Sequence, residues 1–271
     1  MRKEMGDRVI TNIKDGVAEV ELNRPNKHNA LDHKMFESII EVGDQLAKDS
    51  SLRAVILHGA GKSFCAGIDL SMLAGEGSSS TLVDKMKPRK GSLSNYYQSA
   101  AYVWREIPVP VIAVLHGAVY GGGLQIALGA DIRYAGKDTS LSIMEAKWGI
   151  IPDMGIMTSL PNLMKMDQAI EIAMTAEIKD ASEALQLGLI TAIKDNPLEQ
   201  ARELAKKVSN KSPDAIRSIK RLFYEAWLKD DQFSLSLEAQ LQQKVMTQPN
   251  HMEAAKSTLT KSKPKFLNSK L

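Results

Sequence analysis

Cysteine is almost absent. Cys65 stands alone among 271 residues, so no disulfide can form within the chain and a reducing compartment is the expectation. Long apolar runs are also missing. No stretch approaches the roughly eighteen residues that a membrane-spanning helix requires, and the charged start MRKEMGDRVI is not followed by the apolar core of a secretory signal. Charge of one sign is missing too. The 35 Lys and Arg against 32 Asp and Glu leave a net charge of +3, scattered along the chain, and this offers no basic stripe for nucleic acid. The five histidines show no ligand spacing, so no metal site is expected. What remains is an ordinary composition, 44% hydrophobic and 25% charged, that of a soluble, cytoplasmic globular protein able to bury a sizeable core.

The pattern of residues predicts an α/β core followed by helices. Val9 to Ile13 and Val17 to Leu22 read as two strands around the Lys14-Asp15-Gly16 turn. From Asp32, a predicted N-cap, apolar residues recur at helical spacing through Leu46. Ala54 to Leu57 and Val109 to Leu115 read as buried strands on either side of a helix over Asn95 to Glu106. A Gly, Ser and Lys-rich segment over 75 to 94 reads as a mobile surface loop. Beyond residue 198 the pattern is wholly helical, with segments starting near Leu198, Pro213, Asp231 and His251. The division is a core over 1 to 197 and a helical region over 198 to 271.

Three segments carry polar chemistry. Two are glycine-rich and follow strands: Ser63-Phe64-Cys65-Ala66-Gly67-Ile68-Asp69-Leu70, and His116 to Leu124 with Gly121-Gly122-Gly123 at a helix start. Consecutive glycines are costly in a helix but permit close approach of a ligand to the backbone. Two free amides converging on one point would make an oxyanion hole. Taken alone, GGG reads more plainly as a tight helix–sheet contact. The third segment, Ser142 to Asp153, holds Glu145 and Asp153 in mostly apolar company. Burial would raise their pKa values towards neutrality, although a surface salt bridge from Glu145 to Lys147 is the plainer reading of those residues alone. Met144 and Met154 are candidates for an adaptable acyl pocket.

Together these segments resemble the enoyl-CoA hydratase/isomerase family, the crotonase superfamily. The likeness starts at Asn23-Arg24-Pro25-Asn26-Lys27-His28-Asn29-Ala30-Leu31 and runs through FCAGIDL and GGG. It continues to Pro152-Asp153-Met154-Gly155, the AxxLGLI stretch from Ala184, and Lys263-Pro264-Lys265-Phe266. The resemblance implies a spiral core of ββα units with a C-terminal helical region that forms trimers or dimers of trimers. It implies an acyl-CoA ligand and no cofactor beyond the coenzyme A of the substrate. It implies oxyanion donors at the amides of Ile68 and Gly122. Coenzyme A contacts are implied at Lys27, His28, Ala30, Ala66, Gly67, Asp69, Leu70 and Gly121, with Lys261 near the nucleotide phosphates.

The chain departs from the family pattern in one place that bears on the reaction. Family hydratases have two glutamates; here Gln125 stands at the first position and Glu145 at the second. A glutamine can hydrogen-bond a water but cannot take its proton. Family dienoyl-CoA isomerases have an aspartate where Asp153 stands, and GIDL resembles that branch, but they carry a further aspartate at the position of Gln125. In that picture Glu145 moves a proton at the far end of a conjugated acyl chain and Asp153 tunes or orients it. The expectation is double-bond isomerisation on Glu145, Asp153 and Gln125. Hydration by Glu145 alone, or acyl-CoA binding without catalysis, are the alternatives.

Overall fold

The computed structural model describes residues 2–5, 8–75 and 84–271. Its strands, in chain order, are β1 (Arg2–Met5), β2 (Val9–Lys14), β3 (Val17–Leu22), β4 (Ala54–Gly59), β5 (Val111–Leu115), β6 (Ala118–Tyr120), β7 (Ile132–Ala135), β8 (Ser140–Ser142), β9 (Lys179–Asp180) and β10 (Ala192–Ile193). One sheet has the order β1-β2-β3-β4-β5-β7-β10, and a smaller one runs β6-β8-β9. The β2–β3 hairpin closes through Asp15 and Gly16, both at positive φ, the two-residue turn whose twist suits antiparallel strands. From β3 onward the large sheet is parallel.

Parallel strands covered on both faces are apolar on both faces, and β4 and β5 follow that rule. Val55, Leu57, Val111, Ala113 and Leu115 enter the main core, while Ala54, Ile56, Ile112 and Val114 form a second cluster on the opposite face. The main core is covered by α1 (His33–Ala47), α2 (Leu70–Gly75), α3 (Tyr96–Glu106) and α4 (Gly122–Leu128). Asp32 caps α1 by accepting from the Met35 amide, as predicted, and Asn95 forms a capping box with Gln98 on α3. Strand β5 begins at Val111, two residues later than predicted. Pro110 has no amide to give a ladder, and the Val111 amide donates to the Asp131 carboxylate instead.

The remaining helices are α5 (Met166–Thr175), α6 (Ala181–Gln186), α7 (Pro197–Ser209), α8 (Pro213–Ala226), α9 (Asp231–Met246) and α10 (Pro249–Leu259). Although α7 lies beyond the predicted boundary, its Ala201 and Ala205 pack on the second face of the sheet, so it acts as a cover of the core. Within the segment expected to be mobile, residues 76–83 lie outside the described residues. Residues 84–94 are tied down where Arg89 bonds Asp44 on α1 and Ser99 on α3.

Three chain crossings turn this framework into a site. Strands β4, β5 and β7 each lead into a short strand or bridge of a second layer: β4 to Cys65, which bridges Val119, β5 to β6, and β7 to β8, which pairs with β6. At the β5–β6 corner Gly117 has φ +54, and a Cβ there would stand 2.0 Å from the Lys62 carbonyl oxygen. The corner therefore demands glycine. The spiral brings the loop after β4, the start of α4 and the segment after β8 to one side of the molecule.

Candidate active site

The loop after β4 is held by two side chains. Asn29, fully buried and at φ +56, donates from Nδ2 to the carbonyls of Ala60, Ser63 and Phe64 and accepts the Arg24 amide on Oδ1. Arg24 reaches the Ala30 carbonyl and pairs with Asp69. Asp69 also accepts from the amide and hydroxyl of Ser71. These hydrogen bonds and the Arg24 charge hold its carboxyl down at about 2. Leu31 and Ile68 form a parallel bridge in which the Leu31 amide donates to the Gly67 carbonyl and the Asp69 amide to the Leu31 carbonyl. That pairing leaves the Ile68 amide on the other side of the chain, and no carbonyl among the described residues accepts from it.

The three glycines have three separate reasons. Gly121 sits at φ +50 with its amide on the Ser142 carbonyl, and a Cβ there would lie 3.3 Å from Glu145 Oε1. A Cβ on Gly122 would meet Met154 Sδ at 2.8 Å. One on Gly123 would stand 2.3 Å from the Cys65 carbonyl oxygen, so α4 lies directly on the β4 loop. The two loops meet here: a Cβ on Gly67, at φ +90, would be 2.7 Å from the Tyr120 carbonyl oxygen and 3.6 Å from the Gly122 nitrogen. Gly122 is the first residue of α4, and its amide, like that of Ile68, has no carbonyl partner among the described residues.

Both amide-bearing residues line a cavity of about 800 Å3. Lys27, Ala30, Ala66, Gly67, Asp69, Leu70 and Gly121 line it as well, as do Glu145 and Asp153. Met144 and Met154 line it as expected. His28 stands behind the loop, its carbonyl accepting from Ala66 and its Nδ1 3.0 Å from Ser63 Oγ. Lys261 is exposed after α10 and does not line this cavity. Phe36, Tyr97, Trp148, Ile150 and Ile151 line it too, and no pattern in the sequence marks them for that place. Arg24 and Asn29 both stand in the Asn23 to Leu31 motif, which by itself gives neither a role. Asn is the non-glycine residue best suited to positive φ, the one signal that marked Asn29.

Glu145 forms no ion pair with Lys147. Its side chain is buried, while Lys147 lies over the Trp148 ring. Gln125 Nε2 donates to Glu145 Oε1 at 2.7 Å, and Gln125 Oε1 accepts from the Met154 amide at 2.8 Å. A backbone amide can only donate, which fixes which end of Gln125 faces Glu145. Glu145 Oε2 is buried with no hydrogen-bond partner among the described residues. Burial is the largest influence on the Glu145 carboxyl and raises its pKa; the Gln125 hydrogen bond opposes this, and the nearby Asp153 charge adds to the rise. Burial likewise raises Asp153. Cys65, fully buried beneath the loop, has its thiol pushed up to about 12 and is no nucleophile. Among the described residues no cluster of His, Cys, Asp or Glu is arranged to hold a metal ion, and no helix is long and apolar enough to cross a membrane.

Two amides without a carbonyl partner among the described residues, Ile68 and Gly122, thus share one cavity with Glu145 and Asp153. The family model for enoyl-CoA hydratase/isomerase matches residues 12–269. The chain belongs to the enoyl-CoA hydratase/isomerase family. Within this family it is 34% identical over 225 residues to the human mitochondrial Delta(3,5)-Delta(2,4)-dienoyl-CoA isomerase, covering 78% of this chain and 66% of that one. The chain thus spans just under two thirds of that relative. It is 32% identical over 244 residues to a probable enoyl-CoA hydratase of Bacillus subtilis, covering 88% and 90%. The crystal structure of an enoyl-CoA hydratase from Bacillus anthracis superposes with a TM-score of 0.88 at 27% identity, over 97% of this chain and all of that one. The fold is accordingly the crotonase spiral with C-terminal helices, as the resemblance implied. The human relative is mitochondrial, so this member's expected cytoplasmic location gains no support from it.

The Arg24–Asp69 pair makes the first loop of the site sensitive to acid. Asp69 is held below its unfolded value of 3.8, so its stabilising contribution is complete above that pH and is lost as pH falls through about 2. Asp69→Asn is expected to remove this acid-sensitive part of the melting curve and to cost about 1–3 kcal/mol at pH 7. KM for an acyl-CoA should rise several-fold while kcat changes less. Thermal melts from pH 2 to 7 together with steady-state kinetics check this. A variant that melts like the parent at every pH contradicts the assignment.

Proposed function

We propose that the chain is an acyl-CoA double-bond isomerase that converts a 3,5-dienoyl thioester to the 2,4-dienoyl isomer. The observation that carries this reading is that, beside the Asp69 paired with Arg24, the cavity presents two carboxylates with no ion pair among the described residues, Glu145 and Asp153, while Gln125 does not line it and has both ends engaged. Hydration by two glutamates needs a second base to take a proton from water. Isomerisation needs only that a proton leave one carbon and another arrive elsewhere.

In this mechanism the thioester oxygen accepts from the amides of Ile68 and Gly122. Glu145 lies against Gly121, which supports a role at the thioester end, where the resemblance implied the far end of the acyl chain. It takes the proton from C2, and the charge spreads through the conjugated chain to the thioester oxygen. The two amides stabilise that charge without reorganising. Asp153 delivers a proton to C6, so the bonds at C3–C4 and C5–C6 become C2–C3 and C4–C5. One proton leaves and one arrives. Exchange with water then returns Glu145 to its ionised form and Asp153 to its protonated form. One carboxylate must be ionised and the other protonated, so kcat/KM should be bell-shaped, with both limbs above the ordinary carboxylate range.

Lys27 at the cavity rim, with the backbone of Ala66, Asp69 and Leu70, would hold coenzyme A. Trp148, Ile150 and Ile151 would face the acyl tail. Exposed apolar residues of the C-terminal region, among them Phe223, Trp227 and Leu235, support the expected assembly into trimers or dimers of trimers. Hydration by Glu145 alone remains the second reading, favoured by the hydratase names of the Bacillus relatives. Incubation with 3,5-dienoyl-CoA and, separately, 2-trans-enoyl-CoA tests the choice: the first should isomerise and the second should gain no water.

A further inference from the structure

Gln125 is the residue at which this chain departs from both carboxylate patterns, and its surroundings assign it a task. It is 2% exposed, in the middle of a wholly buried helix. It donates to Glu145 and accepts from Met154, the residue after Asp153. One side chain thus grips one carboxylate directly and the peptide that carries the other. A buried amide with both ends engaged is rigid, because losing either bond leaves a polar group unpaired, at a cost of about 1–3 kcal/mol.

The direction of the first bond matters more than its existence. An amide NH2 is a permanent donor, and donation to a carboxylate favours its ionised form. Among the described residues no side chain donates to Asp153, and only its own backbone favours its ionised form. Asp153 is the titratable group whose charge bears on Glu145, and no Lys, Arg or His among the described residues pairs with Glu145. We propose that Gln125 is a positioning residue that holds Glu145 as the base facing C2 and leaves the exchangeable proton to Asp153. The inference rests on the isomerase reading for the role of Asp153, but the hold on Glu145 stands without it.

A carboxylate in place of Gln125 would still accept from the Met154 amide and would fill the same volume. It would change only the other end. With no permanent donor there, Gln125→Glu would share a proton with Glu145 and suppress it as a base until the pair ionised at higher pH. The readout is exchange of the C2 protons of saturated hexanoyl-CoA in deuterated water, which needs the base and the amides but no isomerisation.

Across pH 4 to 9 the acidic limb of the exchange rate should rise by about one pH unit in Gln125→Glu. The rate would be roughly tenfold lower on the acid side and recover towards the parent at high pH. Gln125→Met, which removes both bonds, should show the same upward shift without full recovery. A uniform loss of rate at every pH in Gln125→Glu would mean a merely structural role and would overturn the inference. So would an unmoved limb, or the absence of C2 exchange by the parent protein. If the limb moves but 3,5-dienoyl-CoA is not converted, the isomerase reading fails and the hold of Gln125 on Glu145 stands. If 3,5-dienoyl-CoA is converted but the limb does not move, the isomerase reading stands and the hold of Gln125 fails.

Discussion

Replacing Glu145 by glutamine is expected to lower kcat on the best acyl-CoA substrate by about 10²- to 10⁴-fold, the range of a positioned general base, with KM within about threefold. The small change in KM follows from the geometry. Gln125 Nε2 can still donate to the new side-chain carbonyl, so the Gln125 and Met154 contacts persist and the cavity keeps its shape. The same substitution should raise the melting temperature. In the parent, burial favours the neutral carboxyl more than the Gln125 hydrogen bond favours the charged one, and Oε2 has no hydrogen-bond partner among the described residues. The folded pKa is raised, so the stabilising contribution of the neutral form is complete below the unfolded value of 4.5 and is lost as pH climbs through the folded pKa. At pH 7 a neutral amide removes that penalty. A gain of about 1 kcal/mol would raise the midpoint by roughly 2–4 °C in a chain of this size. Stability gained while activity falls is the signature of a group kept for chemistry. Unchanged turnover would refute the role of Glu145.

Gly67→Ala is expected to be nearly as damaging to rate, by a different route. Its φ of +90 and a Cβ only 2.7 Å from the Tyr120 carbonyl oxygen leave no relaxation confined to side chains. Either the β4 loop or the strand leading into Gly121-Gly122 must move, and each carries one of the two amides proposed as oxyanion donors. Misplacing one donor costs about 10²- to 10³-fold in kcat, and the strained backbone adds about 1–3 kcal/mol of instability. Gly122→Ala is the control. Its Cβ would meet Met154 Sδ at 2.8 Å and Leu31 Cδ1 at 2.9 Å, both ends of flexible side chains. That variant should fold and lose less than about tenfold in rate. Circular dichroism melts with steady-state kinetics on both variants check the contrast, and equal effects at the two positions would contradict the geometry.

These sites differ in how visible they were before the structure. The β2–β3 hairpin, the Asp32 cap and the Asn95 helix follow from local signals that local physics enforces: a positive-φ turn, a side chain reaching an orphan amide, apolar residues at helical spacing. Strands β6, β8, β9 and β10 are two or three residues long and have no period to detect. Helix α5 was also silent, because Met166, Ile170 and Met174 point outward and blur the amphipathic pattern. In the site, the glycine segments were legible as backbone close to something. Their convergence was not, since it depends on Gly123 lying on Cys65 across more than fifty residues of chain. Glu145 was readable as a carboxylate among apolar residues, but a salt bridge to Lys147 fitted the same letters. Only the burial of one and the exposure of the other separated the two readings. Gln125 was legible as a substitution and not as a clamp, because its two partners lie 20 and 29 residues downstream.

The most direct test of the central claim is product analysis in deuterated water with 3,5-dienoyl-CoA and 2-trans-enoyl-CoA side by side. The account predicts that the first is converted to the conjugated 2,4-dienoyl isomer with deuterium at C6, and that the second gains no water. Addition of water to the second substrate, with the first left unchanged, would contradict it.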